Sequence, residues 1–113
     1  MKKKLVGITF LIILGVIIIA FFSLKQNKQE TPEATAKCIG ENSVLYTQLG
    51  CHACEIQEDL FGESYEQLNK IDCFYEMEKC STKGITATPT WIIKGEKYVG
   101  VQSIEKLKEL TGC

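Results

Sequence analysis

The chain has no arginine, a single histidine, His52, and only two prolines, Pro32 and Pro89. Without guanidinium groups it lacks the forked donors that usually grip phosphate, and its lysines do not replace them. From Lys37 onward eight lysines face twelve acidic residues, leaving a net charge near −4. That balance excludes nucleic acid as a partner. The lone histidine also weakens a zinc reading. Cys51 and Cys54 supply one C-x2-C half-site, but Cys73 and Cys80 are seven apart and His52 lies inside the first pair, so no metal is expected. No internal repeat is present, and 113 residues leave room for one domain.

Part of that length belongs to something else. Leu5 to Leu24 is a run of twenty residues without a charge, the length a helix needs to cross about 30 Å of hydrocarbon. A cleaved signal peptide has a shorter apolar stretch with a small-residue cleavage site close behind it. Here the run ends in Phe21-Phe22-Ser23-Leu24, and Ala34-Thr35-Ala36 lies well beyond it. An uncleaved anchor over 5–24 is therefore expected. Lys2, Lys3 and Lys4 precede the run, whereas Lys25 and Lys28 are soon balanced by Glu30 and Glu33. The positive-inside bias makes 1–4 a cytoplasmic tail and turns the rest of the chain outward.

All six cysteines (38, 51, 54, 73, 80 and 113) follow the run. Such dense usage suits an oxidising, extracytoplasmic compartment. Residues 25–37, polar and containing Pro32, read as a linker, and the folded part is expected over 38–113. Ser43 to Thr47 is β-branched and aromatic enough for a buried strand. Ile56, Leu60, Phe61, Tyr65 and Leu68 then recur at mostly helical spacing, with Gly62 as a break. Lys70 to Tyr75 is a weaker strand candidate, and Glu76 to Thr82 a short helix. Thr90–Ile93 and Tyr98–Val101 form two β-type runs joined by a Lys94–Lys97 loop. Ser103 caps a last helix that Gly112 ends. The order is βα, βα, ββα. A domain of this size is close to the lower limit for a self-supporting core. Closing Cys38 to Cys113 would add roughly 4 kcal/mol, and Cys73 to Cys80 roughly 2 to 3, by chain entropy. These pairings are one choice among fifteen connectivities.

Cys51-His52-Ala53-Cys54 stands where a strand gives way to a helix. Two thiols so spaced can close a disulfide and reopen it by exchange. The first sits at the helix N-terminus, where unpaired N–H groups and the dipole favour a thiolate. Cys51 is thus the expected nucleophile. Cys54, one turn further in, is suited to attack the mixed disulfide formed between Cys51 and a substrate. His52 and Ala53, inside the pair, are expected to tune it; His52 would add positive charge or a hydrogen bond near the Cys51 sulfur and make the disulfide more oxidising. Trp91, Phe61 and Tyr65 are expected in the core rather than on a client-binding surface.

With CHAC after a strand, and Ala87-Thr88-Pro89-Thr90-Trp91 before a hairpin and a final helix, the chain resembles the thioredoxin superfamily. The resemblance implies an α/β, thioredoxin/glutaredoxin-like fold with a central four-stranded mixed sheet. It also implies that Pro89 is a cis-proline facing the dithiol, and that Thr88 offers backbone hydrogen bonds to an extended substrate. More specifically, the chain is similar to the thioredoxin-like domains associated with bacterial and archaeal vitamin K epoxide reductase homologues. The matching pieces are Tyr46, Cys51, Cys54, Gln57, Leu60-Phe61-Gly62, Cys73, Cys80, Pro89-Thr90-Trp91, Gly95, Tyr98, Gly100 to Ser103 and Leu110 to Cys113.

That likeness implies electron exchange with a quinone-linked membrane enzyme during disulfide formation in exported client proteins, with no cofactor held by this chain. It leaves Cys38, Cys113, Cys73 and Cys80 as structural bridges. Two departures stand out: Gly50 replaces the tryptophan usual before the first cysteine, and Leu45 occupies the register of a buried aspartate. Losing that acid removes the usual aid to deprotonating the second cysteine, which argues against a strong general reductase. An isomerase or reductase of the same fold, or a disulfide-stapled binding module tethered to the membrane, are the alternative readings.

Overall fold

A computed structural model describes residues 1–25 and 31–113; the middle of the expected linker, 26–30, lies outside the described residues. Helix α1 (Lys2–Lys25) takes in the whole apolar run. Lipid offers no partner to backbone N–H and C=O groups, so an apolar stretch without proline bonds them within itself as a helix. None of its most apolar window is buried, and the helix is long and apolar enough to cross a membrane.

The folded unit begins earlier than expected. Helix α2 (Glu33–Glu41) starts inside the segment read as linker, and the Thr31 hydroxyl already donates to the Leu60 carbonyl at 2.7 Å. The Ser64 hydroxyl donates back to the Thr31 carbonyl. The linker reading of 31–37 is thus corrected, because α2 buries only a narrow face of small residues. Ala36 and Ile39 are fully buried three positions apart, and alanine registers weakly in a hydrophobic period. Gly40 completes that face: a Cβ there would collide with the Gln67 carbonyl and stand 3.0 Å from the Leu68 Cα.

Four strands form one mixed sheet in the order β2-β1-β3-β4. Strand β1 (Val44–Thr47) runs parallel to β2 (Lys70–Asp72) and antiparallel to β3 (Thr90–Ile93). Parallel neighbours need a crossover, which α3 (His52–Phe61) and a 3-10 stretch (Gly62–Gln67) provide. A short α4 (Met77–Thr82) follows β2, and α5 (Ile104–Thr111) closes the chain. This is the expected βα-βα-ββα order around a four-stranded mixed sheet, with one added helix, α2.

The hairpin is tighter than the sequence suggested. Strand β4 is Glu96–Val99, and Ile93 pairs with Glu96, so the turn is Lys94–Gly95 alone. Both have positive φ, 51° and 80°, the combination that matches the twist of the flanking strands in a two-residue turn. Glu96 and Lys97 look like loop residues because β4 is an edge strand exposed to water. Ser103 and Gly112 behave as expected: the Ser103 Oγ accepts from the Lys106 N–H at 3.1 Å, and Gly112 is left-handed with φ 78°.

The core joins Leu45, Trp91 and Ile93 from the sheet to Ala36, Ile39, Phe61, Tyr65, Leu68 and Leu107. Trp91, Phe61 and Tyr65 are core residues, as expected, and the Phe61 and Trp91 ring centroids lie 6.1 Å apart. Replacing an interior helix glycine with alanine ordinarily gains about 0.5–1 kcal/mol. At Gly40 the collision with backbone outweighs that gain. Gly40→Ala is expected to lower stability by about 1–3 kcal/mol in denaturant unfolding followed by Trp91 emission. A chain beginning at Cys38 is expected to melt below one beginning at Thr31.

Candidate active site

Strand β1 stops at Thr47, and Gly50, with φ 80°, turns the chain into α3. Cys51 is the N-cap of that helix: its φ and ψ are extended, and its sulfur accepts from the Cys54 N–H at 3.2 Å. A group that caps a helix N-terminus faces the donors the helix leaves unpaired. Negative charge on the Cys51 sulfur is therefore favoured whenever the pair is reduced. Cys51 and Cys54 are bonded to each other, with Cα atoms 5.2 Å apart. Cys51 is half-buried, whereas Cys54 is 5% exposed. Of the two, Cys51 is therefore the more open to solvent.

Across from the pair the Thr88–Pro89 peptide bond is cis. The Thr88 carbonyl and hydroxyl oxygens each lie 3.5 Å from the Cys51 sulfur. Pro89 is fully buried, and its carbonyl accepts from the Gly100 N–H at 2.8 Å. The chain thus brings Cys51, Cys54, Thr88 and Pro89 to one place from segments far apart in sequence. His52 is exposed and stands with Nδ1 3.8 Å from a Glu55 carboxylate oxygen, while Ala53 is half-buried. The other cysteines pair as Cys38–Cys113 and Cys73–Cys80. Among the described residues no three His, Cys, Asp or Glu side chains converge closely enough to hold a metal ion.

Several residues at the site carry no sequence signal of their role. A cleft of about 480 Å³ opens beside the dithiol, lined among others by Glu58, Tyr65, Lys70 and Asp72. One Asp72 carboxylate oxygen accepts from the Phe74 N–H at 2.8 Å and the Leu49 N–H at 3.3 Å. It thereby ties the turn before Cys51 to the loop that the Cys73–Cys80 bridge closes. An Asp bonding the N–H two residues on is a common turn device, and Asp72–Phe74 has that spacing; the link to Leu49 is through space only. Leu45, in the register where the resemblance implies a buried acid, is 1% exposed and paired with Lys70 and Trp91.

Tyr65 forms the inner wall. Burial pushes its phenol above the usual value of about 10; a hydrogen bond with Thr47 opposes this, and the Glu58, Asp72 and Glu66 carboxylates add to it. Lys70 donates to the Tyr65 carbonyl at 3.0 Å and holds its ammonium 4.2 Å from the Tyr65 ring centroid.

No protein-family model matches the chain. In sequence it is similar to the thiol-disulfide oxidoreductase LTO1 of Arabidopsis thaliana, 28% identical over 110 aligned positions. These take in 87% of this chain and 29% of that protein, so the chain spans under a third of the relative's length. Solved structures of similar shape include an oxidised thioredoxin from Plasmodium falciparum, with 19% identity and a TM-score of 0.47 over 73% of this chain and 90% of that one. Another is the NTD_N/C domain of the alkylhydroperoxide reductase AhpF from Enterococcus faecalis, with 17% identity and a TM-score of 0.44 over 73% of this chain and 45% of that one.

The fold favours the neutral Tyr65 phenol. Its contribution to stability holds below pH about 10 and is lost as pH rises through the higher folded value. Subtracting the tyrosinate absorbance titration of Tyr65→Phe from that of the unmodified chain is expected to isolate a midpoint above that of free tyrosine.

Proposed function

We propose that this chain is a protein thiol–disulfide oxidoreductase whose Cys51–Cys54 pair works through a mixed disulfide. The observation that carries the reading is the asymmetry of the pair: a half-buried Cys51 at a helix N-cap and a buried Cys54 behind it. The curated relative's name supports it. In the oxidising direction a client thiolate attacks the Cys51 sulfur. The Cys51–Cys54 bond breaks and Cys54 leaves as thiolate, its charge eased by protonation. A second client thiolate then attacks the client sulfur of the mixed disulfide, releasing Cys51 and a client disulfide. Two electrons have entered the pair, and two protons have left the client thiols.

In this reading Thr88 and Pro89 hold the client backbone beside Cys51, and His52 and Ala53 tune the pair from the solvent side. Leu49 and Tyr75, both more than half exposed, line the cleft beside the dithiol, which suits apolar client segments flanking a cysteine. Helix α1 anchors the chain with its N-terminus in the cytoplasm and the redox domain outside. Residues 26–30 can span at most about 20 Å between α1 and Thr31, so the dithiol works close to the bilayer. A membrane enzyme resembling vitamin K epoxide reductase, holding the quinone, is the proposed electron acceptor.

Redox titration against glutathione, with alkylation and mass mapping of every cysteine, tests this. Cys51 and Cys54 are expected to titrate as one reversible pair while the other four cysteines stay bonded. A potential of about −120 mV assigns an oxidase, and one of about −270 mV a reductase. If all three bridges open together, the chain is a stapled binding module and the proposal fails.

A further inference from the structure

One polar side chain in the site's helix is completely enclosed. Gln57 lies three residues past Cys54 on α3 and has no exposed surface. Its Oε1 accepts from the Trp91 indole N–H at 3.0 Å and from the Gln102 backbone N–H at 2.7 Å. Its Nε2 donates to the Gln102 carbonyl at 3.1 Å. Both nitrogen partners of the oxygen are donors only, so the carboxamide has one satisfied orientation. A core position that served packing alone would be filled by leucine without any need to match three hydrogen bonds.

The partners of Gln57 lead back to the dithiol by a second route. Trp91 stands two residues after Pro89 on β3. Gln102 ends the Gly100–Gln102 segment, whose Gly100 N–H donates to the Pro89 carbonyl at 2.8 Å. Thr88, on the other side of Pro89, has its carbonyl and hydroxyl oxygens 3.5 Å from the Cys51 sulfur. The contacts close into a ring: Cys51, α3, Gln57, then Trp91 and Gln102, then Pro89, then Thr88, and back to Cys51. Gln57 is the side chain in that ring that bolts the helix carrying the sulfurs to the segment carrying Thr88 and Pro89.

We infer that Gln57 is a positioning residue that sets the spacing between the dithiol and the Thr88–Pro89 edge, and through that spacing favours peptide disulfides over small ones. The inference rests on the oxidoreductase reading. A peptide segment must engage Cys51 with its sulfur and the Thr88–Pro89 edge with its backbone at once, so its reaction depends on their separation. A disulfide with no peptide backbone touches the sulfur alone and does not.

The test uses the reduced full chain in detergent micelles and compares its reaction rates with a disulfide-bonded peptide and with bis(2-hydroxyethyl) disulfide. Gln57→Leu removes the acceptor from Trp91 and Gln102. It is expected to slow the peptide reaction about tenfold, within the range a misplacement on the order of 1 Å costs, while the small disulfide changes less than about twofold. Gln57→Glu in its protonated form keeps an oxygen for both donors and an O–H for the Gln102 carbonyl, and is expected to restore most of the ratio of the peptide rate to the small-disulfide rate. Leu107→Ala, a fully buried deletion on α5, lowers stability without touching the hydrogen bonds of Gln57 and is expected to leave the ratio of the two rates unchanged. If Gln57→Leu does not fold, Gln57→Asn, with the same carboxamide on a shorter stem, carries the same expectation. Equal slowing with both disulfides, or no change with either, overturns the inference and leaves the oxidoreductase reading standing. A wild-type chain inert to both overturns the two together.

Discussion

Burial of Trp91 locates the rest of the folded unit. It sits on β3 between Leu45 of β1 and Tyr98 of β4, and is fully enclosed. Its ring meets Phe61 at the far end of α3, and its indole N–H bonds Gln57 nearer the start of that helix. A buried indole contributes several kcal/mol by area and requires a partner for its N–H. In this chain meeting that need fixes α3 along its length. Because Cys51 caps α3 and Pro89 lies two residues before Trp91, the same side chain sets both halves of the proposed active site.

A core this small leaves its margins to other devices. Cys38–Cys113 joins α2 to the end of α5, closing a separation of 75 residues. Cys73–Cys80 ties the end of β2 to α4, next to the cleft. The Asp72 carboxylate then couples that stapled loop to the turn before Cys51. Under the proposed function two bridges hold the frame while the third, at the helix N-cap, exchanges. In the proposed cycle the frame stays bonded while the pair exchanges, so the site geometry persists.

Much of this was legible along the chain, though not evenly. The apolar run, the strand before CHAC, the hairpin strands and the capped last helix all carry strong local signals, from β-branched runs to a serine cap and a terminal glycine. Helix α2 was missed because its buried face consists of Ala36, Ile39 and Gly40, too small and too few to show a period. The hairpin turn was read two residues too long because Glu96 and Lys97 belong to an edge strand whose side chains face water. Asp72 and Lys70 gave no sign of their places at the site, and Gln57 and Tyr65 gave none of the partners they meet there, since each acts through residues distant in sequence.

By itself the sequence determined the elements and their chemistry: an apolar helix of spanning length, a strand running into a helix at a pair of cysteines, and a proline placed before a hairpin. These follow from neighbours within a few residues, where propensity, capping and spacing operate. Only the tertiary structure decided which of fifteen cysteine connectivities forms, where the folded unit begins, and which buried polar group links the sulfurs to the cis-proline segment. Those depend on distances through space, which arise once Trp91 and its neighbours are packed and every enclosed donor has found its acceptor.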